Sequence, residues 1–255
     1  MDRYDFKSFD GQPLSYLAAG DPNGTPVYLV HGFVSDAQTN WVKGGTVALL
    51  AEKGFYVIAP DLRGHGESSK PHDEAAYPDD VLASDQLALL EHLTLGSFHL
   101  AGYSLGAITA ARMIERGATP QSILLCGMGH GLTEAGGRSE QFVDALTGKT
   151  PKTDPFAAMV VGFVKKTGGD AIALAHVMRG RKSVSAEALA RWRLPCLVLN
   201  GDKDNDNGSG QALADLIPGA TAQLVPGTHM DAIFKPQFAD AIAAWLESNR
   251  AGSKQ

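Results

Sequence analysis

Gly102-Tyr103-Ser104-Leu105-Gly106 is the stretch on which the reading of this chain turns, because of what flanks it. Upstream, Ser97-Phe98-His99-Leu100-Ala101 is a short apolar run of the kind that forms a buried strand. Downstream, Leu105 to Ile114 carries small and apolar residues at helical spacing. A serine between a strand and a helix, with glycine two positions away on each side, suits a strained turn that lifts its hydroxyl clear of the sheet. Glycine is required there because neighbouring backbone passes too close for a Cβ. In that setting Ser104 reads as a nucleophile; without the strand and the helix the same five residues would be an ordinary turn.

The pattern extends outward. Val27–Val30, Phe55–Ala59, Phe98–Ala101, Ile123–Cys126 and Cys196–Leu199 are near-continuous apolar runs, as expected of parallel strands covered on both faces. Thr46–Lys53, Tyr77–Leu93 and Leu105–Glu115 carry helix-like patterns between them, which predicts a doubly wound α/β sheet with right-handed crossovers. Two segments break the alternation. Residues 4–20 hold two short alternating runs about Asp10-Gly11, a hairpin signal that places antiparallel strands at the sheet edge. Between Cys126 and Cys196, about sixty residues carry no convincing strand, and a connection of that length predicts a functional lid. Short helices are expected in it at Ser139–Leu146, Pro155–Lys166, Ala171–Arg179 and Ser185–Trp192. The expected organisation is a core of residues 1–129 and 194–250 with a cap of 130–193 inserted, and a disordered tail at Ala251–Gln255.

Composition sets outer bounds. The 255 residues are 44% hydrophobic and 20% charged, enough apolar content for a substantial core in one large α/β domain or two small ones. A net charge of −6 with no Lys/Arg-rich run argues against nucleic-acid binding. No basic-then-apolar leader and no membrane-length apolar run is present, so a cytoplasmic protein without membrane association is expected. Two cysteines, Cys126 and Cys196, are too few for a disulfide framework or a structural zinc site, and both read as buried free thiols.

A serine hydroxyl near neutral pH needs a base, and the base needs an acid to orient it. In an open α/β sheet such groups lie beyond the carboxyl ends of the strands. The run Cys196–Asn200 leads into Gly201-Asp202-Lys203-Asp204, and Ala222–Val225 leads into Pro226-Gly227-Thr228-His229. Among the eight histidines, His229 combines a strand end with a following helix, Phe238–Leu246, and is the expected base. His99 reads as core, His72, His92 and His176 as helix or surface positions, and His130 as a possible substrate contact at the cap entrance. Asp204, three residues past Gly201, is the expected acid, with Asp202 and Asp206 as alternatives. The same acidic cluster fails as a calcium loop, since Asn207 and Leu213 stand where the glycine and the bidentate Glu belong. Oxyanion donors are expected from the backbone N–H of Leu105, at a helix start, and of Phe33, after the strand Val27–Val30.

With these motifs in order, the chain resembles the α/β-hydrolase superfamily. His31-Gly32, the Pro60–Ser68 loop with its D-x-R-G-x-G-x-S pattern, the elbow, Gly201-x-x-Asp204 and Gly227-Thr228-His229 carry the resemblance over about residues 3–248. It implies a mostly parallel eight-stranded sheet with helices on both faces and a small helical cap. It also implies a triad of Ser104, Asp204 and His229, oxyanion donors at Phe33 and Leu105, and structural roles for His31 and the Arg63–Ser68 loop. Alanine at position 107, where the family often has a second glycine, is a small departure.

An aspartate nucleophile would imply the alkyl-enzyme route of haloalkane dehalogenases and epoxide hydrolases; serine implies an acyl-enzyme. The expected activity is hydrolysis of a small, fairly apolar carboxylic ester or thioester, with no metal or organic cofactor and a small-molecule ester as the substrate. The alternative on the same residues is a carbon–carbon hydrolase of a vinylogous diketone, whose substrate carboxylate Arg179-Gly180-Arg181-Lys182 would hold. Perhydrolysis and acyl transfer to an acceptor other than water are further possibilities, and a ligand-binding receptor is the non-enzymatic one. Val34, Tyr103, His130, Met230 and Ile233, with Phe33, are expected to touch substrate, and Phe156, Met159, Val160, Phe163 and Met178 are candidate cap lining.

Overall fold

The computed structural model describes residues 1–134 and 137–250, so the expected tail at 251–255 lies outside the described residues. Eight strands form one sheet: β1 (Asp2–Lys7), β2 (Pro13–Ala19), β3 (Thr25–Val30), β4 (Phe55–Pro60), β5 (His99–Tyr103), β6 (Ser122–Cys126), β7 (Cys196–Gly201) and β8 (Thr221–Val225). Their order across the sheet is β1-β2-β4-β3-β5-β6-β7-β8. The β1–β2 hairpin is antiparallel, β2 runs antiparallel to β4, and every other pairing is parallel. Strand β3 lies between β4 and β5, which places the reversal of winding direction where a crevice opens beyond the strand ends.

Helices cover both faces: α1 (Thr46–Glu52), α2 (Val81–His92), α3 (Leu105–Glu115), α8 (Gly210–Ala214) and α9 (Pro236–Ser248). The continuous apolar runs follow from that double covering. Along β6, Ile123 and Leu125 point into the core shared with α2 and α3, while Leu124 and Cys126 point into the core shared with α1 and α9. All four are fully buried, so truncating either leucine to alanine costs about 2–5 kcal/mol. Cys126 and Cys196 are buried free thiols, and burial pushes Cys196 up to about 12.

Helix α2 starts at Val81, four residues later than the pattern at Tyr77 suggests. Pro78 disfavours helical geometry at Tyr77, and Asp80 is in the left-handed region with φ of 63°, so the chain turns before the helix begins. Between β6 and β7 come α4 (Gly137–Leu146), α5 (Pro155–Thr167), α6 (Ala171–Gly180) and α7 (Ala186–Leu189), with no strand among the described residues of that segment. Helix α7 is shorter than expected, stopping at Leu189, and Ser185 caps its start by accepting from the Ala188 amide. Asp154 and Asp170 cap α5 and α6 in the same way, with Pro155 at the first helical position of α5. This helical cap is packed on the core through Val34, Val164 and Leu174. Among the described residues, no helix is long and apolar enough to cross a membrane.

Candidate active site

Ser104 stands alone between β5 and α3 with φ 53° and ψ −114°, a backbone conformation costly for any residue with a Cβ. Its amide donates to the Cys126 carbonyl at 2.8 Å and its carbonyl accepts from Ala107 at 2.9 Å, so both neighbours hold the turn in place. The glycines are there for space. A Cβ at Gly102 would overlap the Gly106 carbonyl, and one at Gly106 would overlap the Val30 carbonyl, where β3 passes the start of α3.

His229 follows β8 and meets both partners. Its Nε2 lies 3.1 Å from Ser104 Oγ and its Nδ1 lies 2.9 Å from Asp204 Oδ2. A carboxylate can only accept, so the ring proton sits on Nδ1 and Nε2 is left to accept from the serine hydroxyl. The Asp204 carboxylate is almost sealed at 1% exposure, whereas the His229 side chain is 14% exposed and lines the cavity above Ser104. Tyr103 supports the ring from below: its hydroxyl donates to the His229 carbonyl at 2.5 Å and its ring lies 5.4 Å from the imidazole.

The three aspartates that sequence left open are separated by position. Asp202 accepts from the Gly227 amide at 2.9 Å and ties the acid turn to the base turn. Asp206 is exposed, and its amide donates to Asp204 at 3.2 Å. Only Asp204 among these three meets the imidazole.

The loop after β3 runs beside Ser104. A Cβ built on Gly32 would lie 3.5 Å from Ser104 Cβ, and buried Val34, like Ser104, has positive φ, at 53°. Among the described residues, neither the Phe33 nor the Leu105 N–H donates to a protein acceptor, which leaves both amides available to an incoming oxygen. The loop is held from behind. His31 Nε2 accepts from the Leu62 amide at 2.9 Å, and Asn40 Oδ1 accepts from the Gly32 amide at 2.8 Å. Burial pushes the His31 imidazole down, keeping it neutral and able to accept. Asp61 accepts from the amides of Ala37 and Glu67 and from Arg3. Burial acts to raise its carboxyl, but His31 and these donors outweigh it and hold it below the usual range. Arg63 is fully buried between Asp10 and Asp85, and Ser68 donates to the Asp61 carbonyl. These residues brace the loops and stand back from the Ser104 hydroxyl.

A cavity of about 710 Å³ opens over Ser104 and His229. Phe33, Val34, His130 and Met230 line it, as do Met159, Val160, Phe163 and Met178 from the cap. Tyr103 and Ile233, expected to touch substrate, do not. Adjacent side chains of a strand point to opposite faces, so Tyr103 turns under His229, and Ile233 is buried in the core beneath the base loop. Phe156 also lies outside the wall and packs on Phe142 at 5.1 Å. Sequence reasoning missed Asn40, Phe142, Arg138 and Ser139; nothing local marks them, since each joins the site through tertiary packing. His130 lines the wall while its Nδ1 accepts from the Ser209 amide at 3.1 Å.

A family model described as alpha/beta hydrolase fold matches residues 25–126. The chain is 42% identical over 113 residues to the dihydrolipoyllysine-residue acetyltransferase component of the acetoin cleaving system of Pseudomonas putida. That match covers 44% of this chain and 28% of the other, so the chain spans under a third of that curated relative. It is 27% identical over 223 residues to lipase 1 of Psychrobacter immobilis, covering 76% of this chain and 67% of that one. A thermophilic esterase from Thermogutta terrifontis superposes with a TM-score of 0.79 at 22% identity, over 98% of this chain and 99% of that one. At that identity the likeness is one of fold.

Proposed function

We propose that this chain, which belongs to the α/β-hydrolase superfamily, hydrolyses a small, fairly apolar carboxylic ester or thioester through an acyl-enzyme on Ser104. The observation that carries the reading is the unbroken relay from Ser104 Oγ to His229 Nε2, and from His229 Nδ1 to Asp204, on the wall of the cavity. His229 takes the serine proton as Oγ attacks the carbonyl carbon, then passes it to the leaving alcohol or thiol. Asp204 holds the tautomer and offsets the imidazolium charge. The Phe33 and Leu105 amides receive the negative oxygen of the tetrahedral intermediate, a contribution worth about 10²–10³ in turnover per donor. Water then enters where the alcohol left, and the same base activates it to release the acid.

Two further observations support an ester over other substrates of this fold. A hydroxyl rather than a carboxylate stands at the elbow, which favours an acyl route over an alkyl-enzyme one. Phe33, Val34, Leu105, Ile108 and Met128 give the wall nearest the serine an apolar face suited to a hydrocarbon chain. The test is hydrolysis of 4-nitrophenyl esters from acetate to laurate by the wild type beside Ser104→Ala. Turnover that peaks at a short or medium chain and vanishes in the variant supports the reading. Turnover that survives the substitution, or none from folded wild type, overturns it.

A further inference from the structure

Arg181 follows α6 and contributes to the wall of the same cavity, together with Ser139 and Arg138 of α4. Its Nε donates to Ser139 Oγ at 2.7 Å and one terminal nitrogen donates to the Glu134 carbonyl at 3.4 Å. Both acceptors are neutral. No carboxylate comes within ion-pair distance of it among the described residues; the nearby Glu134 carboxylate lies 3.8 Å from His130. A guanidinium has five donors, and most of these are left without a protein acceptor.

Other arginines withdrawn from solvent are treated differently. Arg63 sits between Asp10 and Asp85, and Arg112 faces Asp80, with N···O distances of 2.6 to 2.8 Å. Those carboxylates hold both guanidiniums above their usual range, in each case against the opposing pull of burial. Burial instead pushes Arg181 down, with nothing acidic to oppose it. A partly buried cation that faces a cavity without a counter-ion is costly unless something anionic enters. Ser139 Oγ is itself buried and takes its hydrogen bond from Arg181 as an acceptor, so its own proton is free to donate alongside the guanidinium.

We infer that Arg181 and Ser139 form a carboxylate subsite in the cavity, so that the preferred ester carries a free acid group remote from the scissile bond. This rests on the ester-hydrolysis reading above. The acid group can lie on the acyl side or on the alcohol side, and both present the same anion to Arg181. Arg138 adds a second positive charge to the wall, whereas Glu134 and Asp206 add negative ones. The selectivity therefore comes from the Arg181 fork rather than from the net charge of the cavity.

The test pairs each charged ester with a neutral one of matched length: mono-4-nitrophenyl glutarate against 4-nitrophenyl valerate for the acyl side, and 4-carboxyphenyl butyrate against 4-methylphenyl butyrate for the alcohol side. In one pair, the ratio of kcat/KM for charged over neutral ester should fall about ten- to a hundredfold in Arg181→Gln. Arg181→Lys should restore part of it, and the pair that responds identifies the side. Ratios unmoved by Arg181→Gln in both pairs would overturn the inference. If the wild type cleaves none of the four, the ester reading fails and the subsite is read by binding instead. Glutarate should then raise the thermal midpoint of the wild type more than that of Arg181→Gln, and equal shifts would overturn the subsite.

Discussion

The Phe33 ring meets the Phe142 ring edge to face, with centroids 5.2 Å apart, so the loop that carries the proposed oxyanion donor is packed directly against the cap. Helix α4 thereby sets the position of a backbone amide from outside the core. An aromatic pair of this geometry is worth about 0.5–1.5 kcal/mol beyond its buried area. Phe142→Ala should lower kcat/KM for a 4-nitrophenyl ester about tenfold, mostly through kcat. Unchanged kcat in a variant that melts earlier would show that the ring only holds the cap down.

The strain at Ser104 gives a second expectation. With φ at 53° and ψ at −114°, glycine suits this position better than alanine does. Ser104→Ala and Ser104→Gly should both lose ester turnover by about three orders of magnitude or more. Ser104→Gly should nevertheless melt at the same temperature as Ser104→Ala or higher, the reverse of the usual order. A glycine variant that is less stable by the ordinary ~0.5–1 kcal/mol would contradict the strain.

Asp204 and Asp202 should separate cleanly. Asp204→Asn removes the charge that faces His229 and allows the wrong tautomer, so kcat should fall by about two to four orders of magnitude. Asp202→Asn keeps a side-chain oxygen for the Gly227 amide and should cost less than tenfold. The opposite ranking in a side-by-side kinetic comparison would reassign the acid.

His99 makes stability depend on pH. It is fully buried on β5, its Nδ1 is 2.8 Å from Ser122 Oγ, and burial together with the Arg250 charge lowers it from 6.5 to about 4. The unfolded chain takes up this proton below about 6.5, while the folded chain refuses it until about 4. Stability from this group is therefore intact above 6.5 and lost as the pH falls through that window. Thermal midpoints measured from pH 7 to pH 4 should drop less steeply in His99→Asn than in the wild type. Parallel curves would rule out His99 as a contributor.

The strands, the order of the motifs and the elbow were legible in the chain because each rests on local chemistry. Double burial makes the middles of β3, β5, β6 and β7 largely apolar, and close backbone approach demands Gly102 and Gly106 whatever the distant residues are. The identity of Ser104 and His229 as partners followed from where strands end. What only the tertiary structure decided was direction and distance. Asp202, Asp204 and Asp206 share one short turn, and the hydrogen bonds across to Gly227 and His229 tell them apart. Tyr103 and Ile233 flank the Ser104 and His229 loops in sequence yet point into the core, because the pleat and the packing of the loop that carries His229 turn them away. Arg181 and Ser139 lie far apart along the chain, and the folding of the cap brings them together. Local patterns are set by the period of the backbone, whereas the lining of a cavity is set by contacts between residues that no period relates.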